Sequence, residues 1–121
     1  MKLYESGEDY LEAILILQQK KGMVRPVHLA DYMGYFKPSI SHAASVLQDG
    51  GFITKDMDGY LHLTEEGRKV AEKIYERHQV LSKMLTDIGV SKDVAEQDAC
   101  RMEHGISEES FQKLKQKLDS Q

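Results

Sequence analysis

Residues 37–67 read KPSISHAASVLQDGGFITKDMDGYLHLTEEG, and this stretch decides the fold. Pro38 suits the first turn of a helix, where a missing N–H leaves no bond unmade. Ile40, Ala43, Ala44, Val46 and Leu47 follow at helical spacing until Gly50-Gly51 stops the run. The small Ala43 and Ala44 allow close approach of a preceding helix. Two short β-forming runs, Phe52–Lys55 and Tyr60–Leu63, then flank Asp56-Met57-Asp58-Gly59, and an Asp-Gly turn between such runs reads as a hairpin. Thr64-Glu65-Glu66-Gly67 opens another helix.

The flanks complete the pattern. Upstream, Ser6 is the expected N-cap of a first helix, with Asp9 three residues on as in a capping box. Tyr10, Leu11, Ile14, Leu15 and Leu17 form its apolar face until Lys20-Lys21-Gly22. Pro26 begins a short second helix through Leu29, Ala30, Tyr32 and Met33, and Gly34 fits its C-terminal position, where a left-handed conformation costs glycine little. Downstream, Val70, Ile74, Tyr75, His78, Leu81, Met84 and Leu85 mark a long helix to Gly89. Ser91 caps another through Val94, Ala95, Ala99, Met102 and His104, and Ser107 starts a last one through Phe111, Leu114 and Leu118. The expected fold is mainly α: a winged helix-turn-helix over residues 1–63, with three helices and a β-hairpin wing, followed by an α-helical module over 64–121. That module has too little apolar surface to stand alone, which points to packing on a second copy, a homodimer.

Bulk properties narrow the classes. A length of 121 residues fits one domain or a small domain with an attached module. No apolar run approaches a membrane span, and the opening MKLYESGEDY has no apolar core of a secretory leader. One cysteine cannot make an internal disulfide, so the expected address is the reducing cytoplasm. The net charge of −4 is uneven: residues 20–60 carry five basic against four acidic side chains, while both flanks are net acidic. DNA binding by this stretch would be modest in affinity and steeply dependent on salt.

Cys100, Glu103 and His104 stand at i, i+3 and i+4, neighbours on a helix face about 5–6 Å apart at the β-carbons. A thiol, a carboxylate and an imidazole so placed suit one divalent ion. Asp9 and Glu12 repeat the i, i+3 spacing with two hard oxygen donors, and His78 sits among Tyr75, Leu81 and Met84 on the long helix. Beside a DNA-binding fold, these donors suggest a metal-sensing transcription regulator. Each also has a plainer reading: Asp9 as a charge favoured by the helix dipole, Glu12 and Glu103 as solvated acids, Cys100 as a small buried hydrophobe, His78 as a partly buried histidine. A regulator answering to a small organic ligand, or to oxidation of Cys100, is the alternative. No catalytic constellation such as HExxH is present, so the chain does not read as an enzyme.

The N-terminal GEDYLEAI, the helix-turn-helix KPSISHAASVLQDGGFI, the wing with YLHLTEEG, and the segments ERHQVLSKML and DACRMEHGIS together resemble the diphtheria toxin repressor / manganese transport regulator family of metal-dependent repressors. The resemblance spans nearly the whole chain. It implies that His78, Glu103 and His104 are metal ligands, and that Asp9 and Glu12 match the two acidic ligands of the manganese-responsive branch. Cys100 instead matches the iron-responsive branch, which has methionine where Asp9 stands. The chain is thus a hybrid, in which carboxylates favour Mn(II) and a thiolate favours Fe(II), Co(II) or Zn(II). The positions of the iron branch's ancillary site hold Ser82 and Glu96, which speaks against that site here. The SH3-like domain of larger members is not expected.

In a helix-turn-helix the start of the recognition helix reaches base edges. That part is Lys37, Pro38, Ser39, Ser41 and His42, with Arg25 and Lys55 as candidate phosphate contacts. His42 matches a glutamine of the iron-type repressor. The resulting expectation is a dimer that binds Mn(II) or Fe(II), occupies a near-palindromic double-stranded operator and represses metal-uptake genes.

Overall fold

The computed structural model describes residues 5–120; the opening residues 1–4, read above for charge and for a leader, lie outside the described residues. The elements are α1 (Glu5–Lys21), α2 (Pro26–Met33), α3 (Lys37–Asp49), β1 (Ile53–Lys55), β2 (Leu61–Leu63), α4 (Glu65–Asp87), α5 (Lys92–Met102) and α6 (Glu108–Asp119). The chain divides into two compact units, the first ending at Glu72 and the second beginning at Lys73. The order is that of a winged helix-turn-helix followed by a helical module, as expected. Among the described residues, no helix is long and apolar enough to cross a membrane.

In the first unit, α1 is buried almost continuously from Tyr10 to Leu15 and again at Leu17, which marks a central helix. It contacts α2, α3 and β2. Ser6 lies inside α1, which already begins at Glu5, so the expected cap is corrected. Pro26 opens α2, whose Gly34 stop has φ 71°, and α3 buries Ile40, Ala44 and Leu47. The hairpin pairs Ile53 with Leu63, Thr54 with His62 and Lys55 with Leu61. In its turn, Asp56 Oδ1 accepts the Asp58 and Tyr60 N–H groups at 3.0 and 2.9 Å, and the β2 N–H of Leu61 donates to the Val24 carbonyl at 2.7 Å. The wing is therefore tied to the loop between α1 and α2.

Thr64 closes the hairpin and starts α4. Its hydroxyl donates to the Gly51 carbonyl at 2.7 Å and accepts the Gly67 N–H at 3.1 Å. A Cβ at Gly67 would lie 2.0 Å from the Phe52 carbonyl oxygen, so the first turn of α4 reaches the wing backbone only through glycine.

The second unit buries Ile74 and Leu81 of α4, Ala95 and Ala99 of α5, and Phe111 of α6. The expected stripe on α4 is displaced: Gly67, Ala71, Ile74, Arg77 and Leu81 are the buried positions, whereas Val70, Tyr75, Met84 and Leu85 are intermediate. Helix α5 ends at Met102 rather than at His104. Glu103 is its C-cap and still donates its N–H to the Ala99 carbonyl at 2.9 Å, while Gly105 turns back onto the Met102 carbonyl at 3.2 Å. Ser107 then caps α6, its Oγ accepting the Ser110 N–H at 3.1 Å.

Candidate metal centre

Helix α4 carries His78, the C-cap of α5 carries Glu103, and the turn after it carries His104. The Glu103 side chain is 0% exposed and that of His78 27% exposed. His78 Nδ1 lies 3.0 Å from Glu103 Oε2, and His104 Nε2 lies 3.4 Å from Glu103 Oε1. The second contact is within ion-pair reach but lacks hydrogen-bond alignment, since Oε1 is buried with no hydrogen-bond partner. Glu103 keeps the helical i, i+3 relation to Cys100, but Cys100 is exposed. His104, expected on the helix face, sits beyond its end.

A buried carboxylate is costly unless charges and donors answer it. Two imidazoles and a carboxylate oxygen that accepts no hydrogen bond fit a divalent cation well. Ligand atoms held about 2.1 Å from one ion lie about 3.0–3.5 Å apart in octahedral or tetrahedral shells, and the His104 Nε2–Glu103 Oε1 spacing falls in that range. If His78 Nδ1–H donates to the carboxylate, its Nε2 is the lone-pair nitrogen, the arrangement common for metal-bound histidine.

One residue escaped the sequence reading. Arg77 is buried beside His78; its Nη1 donates to the Glu103 and Ile106 carbonyls at 3.1 and 2.7 Å, and its Nη2 to Glu108 Oε2 at 3.0 Å. The available signal was its place between Ile74 and Leu81 on the core side of α4, with an acid in the first turn of the last helix.

In the first unit, Asp9 is half-buried and Glu12 buried on α1. Between them, the Tyr10 hydroxyl donates to the Ile40 carbonyl of α3 at 2.9 Å, and burial pushes this phenol well above its ordinary pKa. On α3, Lys37, Pro38, Ser39, Ser41 and His42 are all exposed, opposite the buried Ile40, Ala44 and Leu47. Lys55 is exposed at the end of β1. Arg25 is exposed too, but its guanidinium stacks 4.4 Å from the Tyr60 ring centre, bracing the wing.

Two family models match. Residues 2–67 fit the N-terminal DNA-binding domain of iron-dependent repressors, and residues 64–120 fit their metal-binding and dimerisation domain. The chain belongs to the iron-dependent repressor family. It is a family of DNA-binding transcriptional regulators, not of enzymes. The chain is 36% identical over 104 residues to the transcriptional regulator MntR of Escherichia coli O6:H1, covering 86% of this chain and 67% of that one. It is 28% identical over 118 residues to the diphtheria toxin repressor of Corynebacterium glutamicum, covering 97% and 52%. Its fold matches the crystal structure of T. acidophilum IdeR with a TM-score of 0.83, at 23% identity, over 98% of this chain and 55% of that one. The chain therefore spans about half to two thirds of the length of these family members.

Proposed function

We propose that the chain is a metal-dependent repressor that senses intracellular Mn(II) or Fe(II) and, as a homodimer on a near-palindromic DNA operator, controls metal-uptake genes. The observation that carries this is Glu103: a fully buried carboxylate between two imidazoles, with one oxygen that accepts no hydrogen bond. The ligands would be Asp9, Glu12, His78, Cys100, Glu103 and His104, a set that mixes hard oxygens, imidazoles and one thiolate. A bound divalent ion supplies the positive charge that stabilises these donors in a single arrangement.

The chain's own groups do the rest. Glu103 and His104 offer donors from a turn whose backbone is fixed, and His78 is oriented by its bond to the Glu103 carboxylate. Tyr10 joins α1, the helix of the two acids, to the recognition helix. On α3, Ser39 and Ser41 donate to phosphates or bases, Pro38 meets thymine methyls, and Lys37, Lys55 and Arg25 answer phosphates.

The test is anaerobic selection from a randomised duplex library with Mn(II), Fe(II), Zn(II) or chelator. Enrichment of one palindromic site only with a metal is expected; equal enrichment with chelator would overturn the reading. Exposure of Cys100 favours one second reading, a thiol-based redox regulator. DNA binding lost reversibly with peroxide but indifferent to chelator would establish it.

A further inference from the structure

We propose that Arg77 is a positioning residue for the metal-binding turn, fixing the orientation in which Glu103 and His104 present their donor atoms. This rests on the reading of those two residues as ligands. The turn from Glu103 to Ile106 lies between two helices and has no regular structure. The last carbonyls of a helix have no partner within it, and a cation is favoured there. Arg77 meets that need from α4: one nitrogen gathers the carbonyls of Glu103 and Ile106, which bracket the turn, and another holds Glu108 at the start of α6. Its side chain is 5% exposed, and the guanidinium lies 5.4 Å from the Phe111 ring centre.

The choice of atoms matters. Arg77 takes the backbone oxygen of Glu103 and leaves the carboxylate turned to His78 and His104. Had the guanidinium taken the carboxylate, it would compete with any other cation for the same two oxygens. Its own charge is answered by Glu108, which Lys73 also approaches at 3.8 Å. Hydrogen bonds from Gln112 and then Arg77 hold the Glu108 carboxyl below its ordinary range, so the counter-charge persists. A lysine is a point charge without a planar fork; it can replace the charge but not both carbonyl bonds and the ion pair together.

The test compares Arg77→Met, Arg77→Lys and Glu108→Gln with the unaltered full chain, anaerobically. The readouts are the visible absorption spectrum of bound Co(II), Mn(II) affinity from the paramagnetic resonance of unbound ion, and the melting temperature in chelator. Both Arg77 variants should bind Mn(II) about 10- to 100-fold more weakly, as when a group orienting a ligand is lost, and should alter the Co(II) spectrum. Glu108→Gln should lower the melting temperature and leave that spectrum unchanged. Should Arg77→Met not fold, Arg77→Lys carries the comparison. Wild-type affinity and spectrum in the Arg77 variants, or an equal spectral change in Glu108→Gln, would overturn the proposal. An unaltered chain that binds neither ion would instead sink the metal reading itself, and this proposal with it.

Discussion

A histidine–carboxylate hydrogen bond in each unit of this chain has nearly the same length. On the wing, His62 Nε2 meets Asp56 Oδ2 at 2.8 Å; in the helical module, His78 Nδ1 meets Glu103 Oε2 at 3.0 Å. Their surroundings differ. The wing pair is 51% and 39% exposed, so water screens it and its net contribution is small. The Glu103 carboxylate has no water to fall back on. Distance alone would rank the pairs as equals; desolvation separates a turn-stabilising contact from a candidate ligand.

The most severe way to break the comparison is to remove the buried charge. Glu103→Gln should lower Mn(II) affinity by more than about 100-fold, above the range for groups that merely orient a ligand. Metal-dependent DNA retention in a mobility-shift assay should vanish while helical circular dichroism persists. The double change Glu103→Ala with His104→Ala should behave alike, and a retained metal response would erase the distinction between the two pairs.

The next largest effect belongs to the wing's backbone rather than to its pair. Gly67→Ala puts a Cβ against the Phe52 carbonyl and should cost about 2–3 kcal/mol, the upper part of the range for forced overpacking, read as a lowered urea midpoint. Substituting His62 with alanine should be the mildest change, within the scatter of surface substitutions. A large loss there would mean that screening does not decide the ranking.

Acid sharpens the same point. Hydrogen bonds from His62 and then the Tyr60 backbone hold the Asp56 carboxyl below its ordinary value. Its stabilising effect is therefore complete above the unfolded carboxyl range, about pH 4, and is withdrawn as pH falls through the lower folded value. Exchange protection of the Asp58 and Tyr60 amides should hold from pH 7 to about 5 and weaken below about 4.

Local signals in the sequence are legible because they act through the backbone. Pro26, Gly34, the Asp58-Gly59 turn and Ser107 set φ or offer a cap wherever they stand, and the structure uses each as expected. Ser6 misled because a cap-forming residue is also tolerated within a first turn. The site was legible as a set of donor types, but burial was not. Spacing put Cys100, Glu103 and His104 on one face; the helix ends at Met102, leaving Glu103 buried, Cys100 exposed and His104 in the turn. Arg77 was missed because a charged residue among apolar neighbours looks solvated until its partner is known, and Glu108 is 31 positions away.

The bond from Tyr10 to the Ile40 carbonyl has a consequence for signal fidelity. It is a hydrogen-bonded tie between α1, which bears Asp9 and Glu12, and α3, the proposed recognition helix. A histidine in that place would loosen or tighten with every small change in acidity. A phenol is already protonated throughout the physiological range, and burial raises its pKa further, so the tie is deaf to protons there. Whatever α1 reports to α3 through it is insulated from fluctuations in pH.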